Sequence, residues 1–131
     1  MAEPALFGAP SENAPGCHEY MIPVTIGSTS SAATWVGYGV TLTRPTSTTM
    51  TLTFPKAYAQ LLGFEQGRQP AASSSQVAWI ITTNHLATDG TITLTSVASG
   101  SATAPANTDV YYLRFVMSAD ILVSRFTGSV T

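Results

Sequence analysis

The side chains able to do acid–base, nucleophilic or metal chemistry are few in this sequence, and their spacing limits what they can do. The two histidines, His18 and His85, stand in separate irregular stretches, and Cys17 is the only cysteine. No His-x-His, Cys-x-x-Cys or His-Glu-x-x-His pattern occurs, so the sequence offers no zinc set. Cys17 and His18 are adjacent, but a nucleophile and its base must converge in space, which sequence neighbours rarely do. A serine triad drawn through His85 and Asp89 lacks a Gly-x-Ser-x-Gly elbow. Asp89 precedes Gly90, where turn chemistry accounts for it. Asp109 and Asp120 read as loop-edge or capping residues, without the dense alternation of oxygen ligands that a calcium loop needs. Gly37 and Gly39 lie in a strand pattern with no helix behind it, unlike a phosphate-binding loop. The expectation is a protein that is not an enzyme, with no catalytic residue, no metal and no cofactor.

Four aromatic residues, Trp35, Trp79, Tyr111 and Tyr112, have the chemistry of a sugar-stacking platform, although aromatics in strands are far more often core. Arg114 sits between Leu113 and Phe115, and strand alternation places it on the face of Tyr112 and Val116. A partly buried arginine requires a carboxylate or carbonyl partner. The expectation is that this partner belongs to another chain, which makes Arg114 an interface candidate.

The surroundings of these residues are unusually neutral. The 131 residues suit one domain. Only 9% are Asp, Glu, Lys or Arg, against about 25% in an ordinary soluble domain. No uncharged apolar run approaches the ~20 residues that cross a bilayer, so no membrane partner is expected. The opening "MAEPALFGAP" has neither the basic nor the apolar region of a secretory signal. Net charge is −2 and the five Lys and Arg are scattered, which argues against nucleic-acid binding through phosphates. The surface must then be built from Ser, Thr, Gly, Asn, Gln and Ala, groups that cost far less to desolvate than ions. Either the chain is a weakly charged monomer, or it packs against other subunits. Depletion of charge is the compositional mark of interface cores and favours the second.

The elements that carry these residues read as β-structure. Residues 1–19, with three prolines and no periodicity, are expected to form an extended arm whose apolar residues Leu6 and Phe7 anchor on a neighbouring surface; a floppy terminus is the plainer alternative. "YMIPVTIG" (20–27) reads as a strand that Pro23 makes an edge or bulged one. "TWVGYGVTLT" (34–43) alternates, and with "TTMTLTF" (48–54) it reads as a hairpin across "RPTS". Pro55 suits a helix start, Tyr58, Leu61 and Leu62 fall on one helical face, and Gly63 suits a stop, so 55–63 is expected to be a short helical turn. "EQGRQPAASSS" (65–75) reads as a loop and "QVAWIITT" (76–83) as a central strand. "TITLTSV" (91–97) follows an Asp-Gly turn, "ASGSATAPANT" (98–108) reads as a flexible loop, and "DVYYLRFVMS" (109–118) and "DILVSRFTG" (120–128) complete the strands. The fold class expected is all-β: one β-sandwich or jelly-roll-like domain over 20–131, with an N-terminal arm and one helical turn.

This layout resembles the small head-decoration or cement proteins of tailed bacteriophages. The likeness runs over roughly residues 34–118. It rests on a Thr-rich alternating strand, then Pro and a turn ending "LLG", a polar loop, an Asp-Gly turn into "TITLTSV", and "YYLRFVMS" before a short tail. The resemblance implies a homotrimer made in the host cytoplasm and bound to the major capsid protein on the outer surface of the virion. On that reading "PKAYAQLLGF" plugs one end of the sandwich with Tyr58, Leu61 and Leu62 and presents Phe64 to a neighbour. The competing class is a tail-fibre or adhesive module that binds carbohydrate or a receptor, which requires exposed aromatics beside polar groups on one face.

Overall fold

The computed structural model describes residues 11–14, 17–27, 32–37, 39–69 and 77–119. These form an all-β sandwich of two antiparallel sheets. The first sheet contains β1 (Ser11–Ala14), β2 (Cys17–Ile26), β3 (Ala33–Trp35), β6 (Gln60–Gln69) and β10 (Val110–Ser118). Its order is β1-β2-β10-β6, with β3 also paired to β2. The second contains β4 (Thr41–Thr46), β5 (Thr49–Thr53), β7 (Ala78–His85), β8 (Thr91–Ala98) and β9 (Ser101–Ala102). Its order is β4-β5-β8-β7, with β9 paired to the end of β8. One four-residue helix, α1 (Leu86–Asp89), joins β7 to β8.

Period-two alternation builds the interior. From the first sheet Tyr20, Ile22, Val24, Ile26, Tyr111, Leu113, Phe115 and Met117 point inward; Leu42, Met50, Leu52, Trp79, Ile92 and Leu94 face them from the second. The rings interlock edge to face, with Phe54 against Phe115 at 5.3 Å and Trp79 against Tyr111 at 5.7 Å, the arrangement that aromatic quadrupoles favour.

The helical turn lies in a different place from the one expected. Residues 54–59 cross from β5 to β6 without helix, and Leu61, Leu62 and Gly63 belong to strand β6. The cause is a bulge. Leu61 pairs with Met117 and Gly63 with Val116, so Leu62 is an extra residue in the ladder. The bulge moves successive inward positions from two residues apart to three, Leu61 then Phe64, and over a short window that spacing imitates a helix. Leu62 stands out at 41% exposure, whereas Tyr58, in the crossover, is buried. The crossover is fixed by backbone bonds to the real helix: Tyr58 N–H donates to Leu86 O and Phe54 N–H to Gly90 O. Gly90 is required there. It has φ of 77°, and a Cβ would stand 2.9 Å from Lys56 O.

Other expectations shift for equally local reasons. The stretch 34–43 is not one strand. Ala33–Trp35 pairs with β2 and Thr41–Thr46 with β5, and a turn with Gly39 at φ 76° carries the chain from one sheet to the other. The arm does not extend to residue 19, because β1 and the start of β2 pair as a hairpin within the first sheet. Residues 1–10, with Leu6 and Phe7, and residues 120–131, with the expected last strand, lie outside the described residues. Pro23 falls where β2 has β1 pairing at one end of its edge and β3 at the other, a position that needs no donated N–H. Of the loop expected at 65–75, residues 65–69 belong to strand β6, and 70–75 lie outside the described residues.

Strand β7, read as central, is an edge. At Trp79 its open side is capped by Gln66 of the other sheet, whose amide donates to Trp79 O at 2.6 Å and accepts from Trp79 N–H at 2.7 Å. The side chain thus satisfies the backbone of Trp79 where a neighbouring strand would otherwise do so. Gln66→Leu leaves both groups without that partner and is expected to lower stability by about 1–3 kcal/mol in urea unfolding. Leu62→Ala, on the exposed bulge, is expected to change it by less than about 0.5 kcal/mol.

Candidate functional site

Two outward faces and two buried polar clusters hold the residues of interest. On the outer face of the second sheet, alternation lines up threonines strand by strand. Thr41, Thr53 and Thr91 form one row; Thr43, Thr51, Thr93 and Thr83 the next; Thr46, Thr49 and Thr95 the third, which ends on Ile80. Neighbouring hydroxyls bond to one another, Thr51 to Thr93 at 3.2 Å and Thr82 to Thr95 at 3.0 Å. The second contact exists because Thr82 is the extra residue of a bulge in β7. Strands β4, β5, β7, β8 and β9 contain one charged residue, Arg44, and it is buried. Its guanidinium donates to Ala32 O and Ser47 O, and burial holds its pKa below the ordinary arginine value.

The outer face of the first sheet is ionic by comparison. Arg114 lies on β10 between β2 and β6. Its Nε donates to Glu19 and its Nη1 to Glu65, both at 2.5 Å. These two hydrogen bonds hold the guanidinium above its ordinary pKa. The charge of Arg114 is therefore matched within the chain, and the partner expected on another chain is replaced by Glu19 and Glu65. Beside it Met21, Glu65, Gly67, Tyr112 and Arg114 border an open hollow of about 550 Å³.

Phe64 points inward. Its ring lies 4.9 Å from that of Phe115, tilted by 30°, and it packs against the core, half-buried. The pairing of Phe64 with Phe115 across the ladder turns both rings into the sandwich, so Phe64 is not presented to a neighbour in the way a surface loop would allow.

The titratable residues weighed for catalysis are dispersed. His18 bonds through Nδ1 to Tyr58 Oη at 2.9 Å, and Tyr58 Oη meets Tyr20 Oη at 2.7 Å, at one end of the sandwich. Cys17 is a buried free thiol. Asp89 takes hydrogen bonds from the N–H and hydroxyl of Thr91, which hold its carboxyl below the ordinary range. Asp109 is buried, 3.3 Å from Arg68 Nη2 and 3.3 Å from Tyr111 Oη. Asp120 lies outside the described residues. His85 ends β7 on the surface. Trp79 and Tyr111 are core, and Trp35 is 38% exposed with its indole N–H on Val40 O. Among the described residues no group of three His, Cys, Asp or Glu is placed to hold a metal, and no helix is long and apolar enough to cross a membrane.

Two features escaped the sequence reading. The threonine rows were visible as T-x-T-x-T in "TMTLT" and "TITLT", but that the two stretches are neighbours in register was not. The hollow depends on Gly67 standing opposite Tyr112, a pairing that no local pattern announces.

Burial sets how the molecule responds to base. It pushes the Tyr111 phenol up from 10.0 to about 12, with Arg68 opposing the shift and Asp109 adding to it. Tyr20 is raised by burial first and by its bond to Tyr58 second. The unfolded chain loses these protons before the folded one does, so the native state is relatively disfavoured as pH rises. Stability is expected to hold up to about pH 10 and to fall as pH climbs through 12, the window between the ordinary and folded values of Tyr111. Tyr111→Phe is expected to make that fall shallower, measured as urea midpoint against pH.

Comparisons with protein-family models, with curated proteins and with solved structures found no match.

Proposed function

We propose that the chain is a structural virion protein that decorates the outer surface of a bacteriophage capsid as a homotrimer and cements capsomer junctions, without catalysis. The observation that supports this most directly is the threonine face of the second sheet. Several of its hydroxyls pair with one another and its strands bring no exposed charge, so covering it with protein removes few strongly hydrated groups.

The dimensions of that face set how it would be used. Rows about 7 Å apart on strands about 4.8 Å apart cover on the order of 300 Å². A standard interface buries about 800 Å² per partner. One copy on one contact therefore binds weakly, and a trimer holding three contacts at once gains from effective concentration. That is the geometry of a cement at a junction, where many modest contacts act together against internal pressure. The major capsid protein is the partner this reading requires.

A charge placed in the middle of the face tests it. Thr51→Lys with Thr93→Lys puts two like charges on directly paired positions, where each must be desolvated on docking. The double variant is expected to remain folded and trimeric by light scattering but to lose co-sedimentation with undecorated capsids, which the unaltered protein retains. A monomer at micromolar concentration that fails to co-sediment in its unaltered form would sink the reading.

A further inference from the structure

We propose that the open stretch of the β2 edge between β1 and β3 is a strand-docking site whose occupant is residues 7–10 of the same chain, which join the edge by backbone pairing and bring Phe7 onto Trp35 and Val36. This edge belongs to the first sheet, so its docking is independent of what the threonine face contacts.

The pairing of β2 leaves a gap. On its outer edge β1 covers Cys17, His18 and Glu19, and β3 covers Val24, Thr25 and Ile26. Among the described residues no strand pairs with Tyr20, Met21 or Ile22 on that side. Val36 N–H donates to Pro23 O, so Pro23 turns its backbone carbonyl to this edge. In an antiparallel ladder the backbone groups alternate from side to side along a strand, so those of Glu19 and Met21 face the same way. Met21 therefore presents an N–H and a C=O to the gap.

An open strand edge is a template for pairing, and bulges, prolines and side-chain covers blunt it. The other edges are blunted. Strands β6 and β7 carry bulges at Leu62 and Thr82, Gln66 caps Trp79, and β4 has Pro45 within a break in register. The β2 gap has none of these: Tyr20, Met21 and Ile22 pair one to one with Phe115, Arg114 and Leu113 on the other side.

The described chain begins beside this gap. Ser11 pairs with Glu19, antiparallel, so the same register sets Pro10 opposite Tyr20, Ala9 opposite Met21 and Gly8 opposite Ile22. The residue types suit those places. Ala9 supplies the N–H and C=O that face Met21. Pro10, without an N–H, falls where the backbone groups point away from β2. Pairing ends before residue 7, because the Pro23 carbonyl opposite already accepts from Val36, and Gly8 weakens the strand at that point. Phe7 then emerges at Trp35 and Val36, large apolar side chains that are 38% and 53% exposed.

The geometry favours the chain's own segment over one from another molecule. A foreign strand would have to bend sharply on entering and again on leaving a gap closed by Ser11 and Val36. Residues 7–10 are already joined at Ser11 and need one bend. Such a short tether also holds them at an effective concentration on the order of millimolar.

Amide hydrogen exchange of the full chain, read residue by residue by NMR at two protein concentrations, tests the docking. Met21 and Ala9 are expected to exchange about tenfold or more slowly than unpaired edge amides. Nuclear Overhauser contacts are expected from the Phe7 ring to Trp35 and Val36. In a mixture of differently labelled chains these contacts should arise within one copy. Ala9→Pro removes the N–H offered to Met21 and should cost Met21 about tenfold in protection. Ala9→Val keeps that N–H, suits a strand and should retain it. Fast exchange at Met21 in the unaltered chain, protection that survives Ala9→Pro, or contacts seen only between differently labelled copies would each overturn the proposal. If a variant fails to fold, the unaltered chain and the labelled mixture decide.

Discussion

The register of β10 is the constraint on which the rest of this sandwich depends. The strand pairs over nine residues with β2 on one side and over the same nine with β6 on the other. Its alternation sends Tyr111, Leu113, Phe115 and Met117 into the core and Tyr112, Arg114 and Val116 outward. A slip by one residue would exchange the two sets, placing a guanidinium among the rings and an aromatic pair in water. The ion pairs of Arg114 to strands on both sides are compatible with one register alone. Being partly exposed, they add little stability by themselves; their larger effect is to penalise the wrong alignment.

What the sequence conveyed follows from the range of each signal. Alternation is local, so the strands around Met50, Ile92 and Leu113 were legible, as was the all-β sandwich they form. A bulge is also local but disguises itself: the extra Leu62 turned strand spacing into helix-like spacing and displaced the expected turn from 86–89 to 55–63. Edges were illegible because they are set by which strands meet. "QVAWIITT" is apolar enough to be central, yet β7 is an edge, with the backbone of Trp79 capped by the side chain of Gln66. The candidate residues divide in the same way. Its apolar neighbours in sequence mark Arg114 as needing a carboxylate or carbonyl partner, but Glu19 and Glu65 are 95 and 49 residues away, and only the ladder joins them. Phe64, placed outside by a supposed helix stop, is turned inward by the strand that replaces it.

The two outward faces divide the chemistry of the molecule. One sheet contains almost no charge in its strands and pairs several of its surface hydroxyls with one another. The other gathers Glu19, Glu65 and Arg114 beside the half-buried Tyr112. Under the proposed role, the neutral face is the one that would lie against a partner and the ionic face the one left to the medium.

The Asp89–Gly90 turn has a consequence for how such a protein ages. Aspartyl–glycyl bonds are prone to cyclise when the glycine nitrogen attacks the aspartate side chain, because glycine offers no steric hindrance. Here the Gly90 N–H is bonded to Leu86 O, and the Asp89 carboxylate is turned toward Thr91 by two hydrogen bonds. Both reactants are engaged elsewhere. The left-handed geometry that makes glycine necessary at this corner thus also holds back cyclisation of its own Asp–Gly link.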